Sequence, residues 1–332
     1  MTLSVLIPCY LRADHLERNL NALKQQNRLP DQVVIAVRET DTMVRTFLQG
    51  YDAAPLSLTI STAPEVGGFS GAINAGLRDV VGEVVAVTDD DTEAFPDWLE
   101  RIENYFLADP TVGGVGGRDM QEWITVFDAK EVGIVKWWGN VIGNHHIGGV
   151  GTVRPVDVLK GCNCAYRTAP FRAIGFDMRL WGKGMQMNTE VALGLCFRRA
   201  GWTLLFDPDL KVQHHAAERH DNDKRGMVFN KEAQVNQMHN KTLSLWEHFG
   251  VAQRGVFLVW SLLIGTRTDP GLVQIVRLLG KDEHVLRKAR ASFAGLIAGI
   301  QTAQKSKRPE TLTPEQVQAA TVSSVPPALA TR

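Results

Sequence analysis

The sequence predicts an α/β fold, a mostly parallel sheet flanked by helices and followed by a helical C-terminal extension. Three observations carry this. Short apolar, β-rich runs alternate with helical patterns through the first hundred residues, the arrangement of a parallel sheet with helices on both faces. The fourth such run, "EVVAVTDDD" at 83–91, ends directly in three acids. From about 221 to 304 the pattern is helical.

"LSVLIPCY" (3–10) reads as a strand stopped by Pro8. "DHLERNLNALKQQ" (14–26) follows with Leu16, Leu20 and Leu23 at helical spacing, and Asp14 as its expected cap. "QVVIAVRETD" (32–41) is a second buried strand, "TMVRTFLQGY" a helix and "LSLTIST" (56–62) a third strand. "GGFSGAINAGLRDVVG" (67–82) opens on glycines and continues as a helix into the fourth strand. After the acids, 92–108 is helical beyond Pro96; 111–160 is glycine-rich and aromatic, and 136–151 within it reads as irregular loop or short strands. A helix at 189–200 and a strand at 203–215 complete this part. Beyond about 305, Pro, Thr, Gln, Ala and Ser dominate, and 305–332 is expected to be a disordered tail.

Bulk properties narrow the function. The 332 residues are 44% hydrophobic and 22% charged, as in an ordinary soluble globular protein. Lys plus Arg equals Asp plus Glu at 36 each, so no overall field attracts nucleic acid. The opening "MTLSVLIPCYLRADHLERN" lacks the features of a signal peptide, and a cytoplasmic location is expected. "GVFLVWSLLIG" (255–265), the longest apolar segment, is too short to span a bilayer. Cys9, Cys162, Cys164 and Cys196 show no CxxC spacing and read as reduced, structural thiols.

The acids are the centre of the functional reading. Carboxylates spaced i, i+2 across a tight turn at a strand end can share one divalent cation of the hard, oxygen-liganded kind, Mg²⁺ or Mn²⁺. A solvated acidic loop is the competing reading, and the position after a fourth buried strand favours the metal, because such sheets bind ligands at the carboxyl ends of their strands. His145 and His146 with Cys162 and Cys164 raise a zinc alternative that has no standard ligand spacing.

Four blocks in order, "SVLIPCYLRADHLERNLNAL", "GGFSGAINAGL", "EVVAVTDDDTEAFPDWLERI" and "LKGCNCAYRTAPFRAIGFDMRL" continuing into "NTEVALGLCFRRAGWTLLFDPDLKVQHH", resemble the family 2 nucleotide-sugar glycosyltransferases with the GT-A fold. The resemblance covers roughly residues 3–220. It implies a Rossmann-like catalytic domain at 1–220, with a nucleotide-binding half to about 110 and an acceptor half at 111–220, ahead of the extension at 221–304. It makes Asp89 and Asp91 the ends of a DxD motif that holds the donor's ribose and metal-bound diphosphate, with Asp90 between them. Pro8 and Tyr10 fall beside the base and ribose, and Asn74 near the diphosphate or ribose, with a helix-start cap as its alternative. Asp41 matches the acid that reads the base; "RETDT" stands where the family has D-G-S-x-D, which brings in Arg38 and Glu39 as further candidates.

In the family's acidic pair, Thr189 replaces the first acid and Glu190 falls at the general base, a role a carboxylate there can fill. Its structural alternative is a first-turn helix acid. "QHH" (213–215) matches a histidine that completes the metal site; consecutive strand residues face opposite ways, and of His214 and His215 the latter is expected to face the cleft. Trp137, Trp138 and Trp181 are the acceptor candidates, with burial in the core as the alternative. The resemblance thus implies a metal-dependent, inverting transfer of a sugar from a nucleoside diphosphate sugar to a hydroxyl of a glycan or lipid-linked acceptor. A degenerate sugar-nucleotide-binding protein and a nucleotidyltransferase are the rivals. The basic amphipathic stretch 251–290 leaves peripheral contact with the inner face of a membrane, packing on the catalytic domain, and a homodimer open.

Overall fold

The computed structural model describes residues 1–149, 151–215, 217 and 229–324, the side chains of 321–324 excepted. Its first half alternates as the sequence predicts: β1 (Leu3–Cys9), α1 (Ala13–Lys24), β2 (Gln32–Arg38), α2 (Thr42–Gly50), β3 (Leu58–Ala63), α3 (Gly68–Asp79) and β4 (Val84–Thr88). Asp14 lies inside the first turn of α1 and does not cap it; Arg12 holds the N-cap position and its side chain makes no capping bond. A short β5 (Thr92–Ala94) follows the acids and leads to α4 (Trp98–Ala108) and β6 (Val112–Met120). Then come β7 (Ile134–Val135), β8 (Val141–Ile142), β9 (Arg154–Pro155), β10 (Asn163–Arg167), α5 (Thr168–Ile174), α6 (Thr189–Arg199) and β11 (Thr203–His214).

Nine strands form one sheet in the order β3-β2-β1-β4-β10-β6-β11-β5, with β9 also paired to β11. β1, β2, β3, β4, β6 and β11 run the same way, and β10 is antiparallel to both of its neighbours. Strand alternation sorts the core into two layers. Val5, Ile7, Val33 and Ile35 face α1, α2 and α4 with Leu16, Leu20, Trp98 and Ile102, while Leu6, Val34, Val85 and Val87 face α3, α5 and α6 with Ile73, Phe171 and Phe197. Burial on both faces explains why these strands read as unbroken apolar runs. β1 lies between β2 and β4, so the strand order reverses there, and the loops leaving β1 and β4 emerge side by side.

β6 carries no strand pattern in the sequence. Within the glycine-rich stretch it is a nine-residue, almost wholly buried strand. Its glycines hid it: a Cβ on Gly113 would lie 2.6 Å from Trp202 Cβ, one on Gly114 2.8 Å from the Tyr166 ring and one on Gly117 1.8 Å from the Leu210 carbonyl oxygen. Side chains from β10, β11 and the turn before it take the volume β6 leaves free.

The extension consists of α7 (Lys231–His248), α8 (Val251–Leu263), α9 (Leu272–Leu278) and α10 (Val285–Lys305). The boundary expected at 220/221 falls outside the described residues. α10 approaches α7 closely because Gly295 and Gly299 carry no Cβ, which would lie 2.5 Å from Val235 O and 2.7 Å from His239 O. α7 is fastened to the loop before α6: Asn240 accepts from Trp181 N (2.7 Å) and donates to Trp181 O and Met187 O (2.8 and 2.9 Å), and Arg179 forks onto Glu247 (2.6 and 2.8 Å).

The expected tail is corrected as far as the structure describes it. Ser306 O accepts from Arg179, Arg308 donates to Gly175 O, Thr311 to Pro170 O, and Leu312 O accepts from Trp202 Nε1 at 2.7 Å, after which α11 (Pro314–Ser324) forms. Composition misled because these anchors are polar groups meeting carbonyls rather than an apolar run. Residues 325–332 lie outside the described residues.

Since the Leu210 carbonyl cannot move without breaking the sheet, Gly117→Ala should lower stability by about 3 kcal/mol, the upper range of overpacking. Gly143→Ala, where a Cβ meets nothing within 4 Å, should change it by less than about 0.5 kcal/mol. Calorimetric melting of the two variants checks the pair.

Candidate active site

A cavity of about 1080 Å³ opens at the carboxyl ends of β1 and β4. Pro8, Tyr10, Arg12, Arg38, Asp89, Asp90, Asp91, Lys160, Glu190 and His214 are among its walls. The acids hold their shape through a backbone turn: Asp89 O accepts from Thr92 Oγ1 and Asn19 Nδ2 (both 2.9 Å), and Thr88 and Thr92 share a hydroxyl contact at 2.5 Å.

Asp90 and Asp91 are buried and Asp89 beside them is half-buried; the two buried carboxylates need compensating charge, and two cations supply it. Arg12 Nη1 lies 2.9 Å from Asp90 Oδ1 and 3.6 Å from Asp91 Oδ2. His214 stands between Asp91 (Nε2, 3.4 Å) and Asp119 (Nδ1, 3.5 Å), and Asp119 also meets Lys160 and Gln121. Burial opposes ionisation of Asp91, but the hydrogen bond and charge of His214 outweigh it and hold the carboxyl below its ordinary range. Burial likewise disfavours the imidazolium of His214, and the Asp119 and Asp91 bonds overcome it and raise the pKa far above the usual value. Asp89 goes the other way: burial first, and the neighbouring Asp91 charge second, push it up to about 7.

Asp89, Asp91 and His214 bring one ligand atom each within 4.8 Å of one another, and so do Asp119, Cys162 and His214. The first set suits a hard divalent cation once His214 gives up its Nε2 proton: two carboxylates and an imidazole, with the buried Asp91 Oδ1 facing His214 Nε2 at 3.4 Å. The histidine is His214, contrary to the expectation of His215, which turns instead to Glu93 (3.0 Å). The cause is a register shift in β11 between Asp207 and Lys211. Leu204 and Phe206 point into one core layer, Leu210 and Val212 into the other, so even-numbered residues change face along the strand.

Glu190 stands half-buried in the first turn of α6, its Oε1 accepting from Gly161 N at 3.3 Å. Thr189 points away: it is buried, and its hydroxyl donates to Gln186 O. The loop before α6 closes on the glycine turn before α3, where Phe69 N donates to Gly184 O (2.9 Å) and Gln186 Nε2 to Gly67 O (2.7 Å). Gly68 has φ +54°, and a Cβ there would lie 2.1 Å from Gly184 O, so only glycine admits this contact.

Other expected residues fare unequally. Arg38 stacks on the Tyr10 ring at 4.2 Å, and both line the cavity. Asp41 is not in its wall; it caps α2 through Val44 N (3.1 Å) and accepts from Leu11 N (2.6 Å), holding a residue with φ +56°. Asp41 therefore shapes the loop after β1. Glu39 reaches Arg45 (3.0 Å). Asn74 is neither a helix-start cap nor a wall residue: it pairs with Phe176 N and O (2.7 and 2.9 Å) from mid-α3. Trp137 and Trp138 meet edge-on, Trp181 stacks on His239 at 3.9 Å, and none of the three is in the described wall. Asp90 lies in the cavity wall and anchors the β1 loop through Arg12 and Tyr10 N (3.4 Å). The zinc alternative fails on His145, which is buried against Val158 O (2.9 Å). All four cysteines are buried and free.

Arg12, Asp119 and the 182–188 loop were missed. Arg12 sits two residues after Tyr10, a signal within the first block; Asp119 had none, because the glycines around it carry no strand pattern.

The fold is of the GT-A glycosyltransferase type, and the model of glycosyl transferase family 2 matches residues 4–175, more than half of the chain. The protein belongs to that family. The glucosyl-dolichyl phosphate glucuronosyltransferase of Haloferax volcanii is 25% identical over 158 residues, which are 46% of this chain and 49% of that protein. The chain thus matches about half the length of this relative. Among solved structures, the mannosyltransferase PcManGT from Pyrobaculum calidifontis with GDP-Man and Mn²⁺ is similar at TM-score 0.51 and 16% identity, over 97% of this chain and 79% of that one. S. aureus TarS 1–349 with UDP-GlcNAc follows at 0.54 and 16%, over 92% and 91%. GalNAc-T7 with UDP, GalNAc and Mn²⁺ gives 0.57 and 12%, over 88% and 57%. These likenesses are of fold.

Two outcomes follow from the geometry. His214→Ala should abolish Mn²⁺-induced stabilisation while His215→Ala retains it, as read by melting temperature against Mn²⁺ concentration. The second is a pH signature. Asp89 has its pKa raised from 3.8 to about 7, so the native state keeps a proton that the unfolded chain loses. The resulting stabilisation is full below 3.8 and is lost as pH rises through about 7. A cation competes with that proton, and Mn²⁺ should therefore raise the melting temperature more above that range than below it.

Proposed function

We propose that this glycosyltransferase moves a sugar from a nucleoside diphosphate sugar to a hydroxyl of a glycan or lipid-linked acceptor, with inversion at the anomeric carbon and with the help of Mg²⁺ or Mn²⁺. The observation that carries the reading is the presence of the Asp89–Asp91–His214 ligand set and the Glu190 carboxylate in the wall of one cavity. Solved structures of the same fold that hold GDP-Man or UDP-GlcNAc support the donor class, and the dolichyl phosphate relative supports a lipid-linked acceptor.

The Tyr10–Arg38 stack lies at the nucleoside end, against the carboxyl end of β1. Asp89, Asp91 and His214 would hold the cation, which when bound offsets the charge of the departing diphosphate. Arg12 and Lys160 add fixed positive charge to the same cavity wall. Glu190 takes the proton of the acceptor hydroxyl, whose oxygen attacks the anomeric carbon. As that bond forms, the bond to the diphosphate oxygen breaks and its electron pair departs with the nucleoside diphosphate. Attack opposite the leaving group inverts the centre in one displacement. The α7 contacts to Trp181 and Met187 brace the loop that precedes the base.

Glu190→Gln should lower turnover by at least about a hundredfold, the lower range for a lost general base, while leaving donor-induced stabilisation intact. A panel of nucleotide sugars with Mn²⁺, scored by nucleoside diphosphate release and by melting shift, separates the cases. Donor binding with no turnover by the unmodified protein on any acceptor would leave a binding protein instead.

A further inference from the structure

The extension turns an apolar surface outward. α9 buries Leu278 only, while Leu272, Val273, Val276 and Leu279, at one- to four-residue spacing, are more than half exposed and Val276 is 77% exposed. Leu262 of α8 and Phe293 of α10 are also exposed, and with Leu272 they line one open groove of about 270 Å³. Arg290 forms part of its wall.

Loose packing does not account for this face, because α9 is firmly held. Lys241 and Asp269 form a buried ion pair at 2.8 Å, and Gln234 Nε2 donates to Asp269 Oδ1 at 2.8 Å and to Ser292 Oγ at 2.9 Å. The α8–α9 turn uses Gly265 at φ +68° and Gly271, where a Cβ would lie 2.8 Å from Ser261 O. A helix fixed this way, with its apolar side out, has a surface meant for something other than water.

Charge identifies the partner. Between residues 251 and 300 Lys and Arg outnumber Asp and Glu seven to three, in a chain whose totals are equal. Of the three acids, Asp269 is buried against Lys241 and Asp282 is paired with Lys288 at 2.7 Å, leaving Glu283; Arg254 turns to Trp246 O (2.8 Å), so Arg267, Arg277, Lys281, Arg287 and Arg290 carry the basic excess. A second copy docked through a twofold axis would set this basic surface against itself. An anionic bilayer offers apolar depth and negative charge together, as an interfacial amphipathic helix requires. None of the described helices is long and apolar enough to cross a membrane. We propose that the α8–α9–α10 face docks on an anionic lipid bilayer, with the α9 stripe in the boundary between headgroups and acyl chains. This proposal is independent of the donor and acceptor reading.

The test is flotation of the full chain with vesicles of phosphatidylcholine alone and of phosphatidylcholine with about one third phosphatidylglycerol. Binding is expected to the anionic vesicles, at least about tenfold weaker to the neutral ones, and to fall as salt screens the basic residues. Val276→Glu should reduce it about tenfold and Arg277→Glu about fivefold or more, with melting temperatures unchanged because both side chains are exposed. No preference for anionic vesicles, or wild-type binding by Val276→Glu, would overturn the proposal. So would a dimer in light scattering that Val276→Glu dissolves, which assigns the face to a second copy.

Discussion

The site rests on one electrostatic constraint: the buried Asp90 and Asp91 carboxylates at a strand end must be neutralised from within the protein, while Asp89 beside them is held toward its neutral form. Arg12 reaches them from the loop after β1 and His214 from the end of β11, so segments two hundred residues apart are drawn to one point. Asp119 then fixes the far nitrogen of His214, and Lys160 satisfies Asp119. Removing one member leaves a buried charge without its partner, which costs more than an exposed pair ever contributes. The same constraint makes the pocket receptive to a divalent cation, since the acids are already gathered.

How much of this was legible depended on how local each signal was. β1 to β4 and their helices could be read because each strand is apolar on both faces and each connection is short. Glu190 was placed by its position at the start of a helix after an aligned block. The choice between His214 and His215 depended on a bulge at 207–211 that turns the strand over, and a bulge has no periodic signature. β6 was invisible for a related reason: its identity as a strand is written in Trp202, Tyr166 and Leu210, which fill the space above its glycines, and not in its own residues. Asn74 and Asp41 show the converse, polar residues in family-like positions whose atoms are used up in holding loops.

The extension and the catalytic half are one mechanical unit. The Arg179 fork onto Glu247 and the Asn240 clamp on Trp181 and Met187 tie α7 to the loop that sets Glu190, while Gly67, Gly68 and Gly184 let that loop touch the turn before α3. The cavity wall itself runs from Pro8 to Ala217, and the extension acts on it through the loop before α6.

The path of residues 308–312 bears on biosynthesis. The carbonyl of Leu312 covers the indole of Trp202, Arg308 and Thr311 grip the turn and helix at Gly175 and Pro170, and β10 slots between β4 and β6 although it is made after both. At a ribosomal rate of about 5–20 residues per second, the β1–β4 layer can assemble as it emerges. The opposite layer, with Glu190 on it, is complete only once residues 308–312 have emerged. For that interval the nascent protein has half a cleft, with its cluster of acids in place before His214 and Glu190 arrive to complete it.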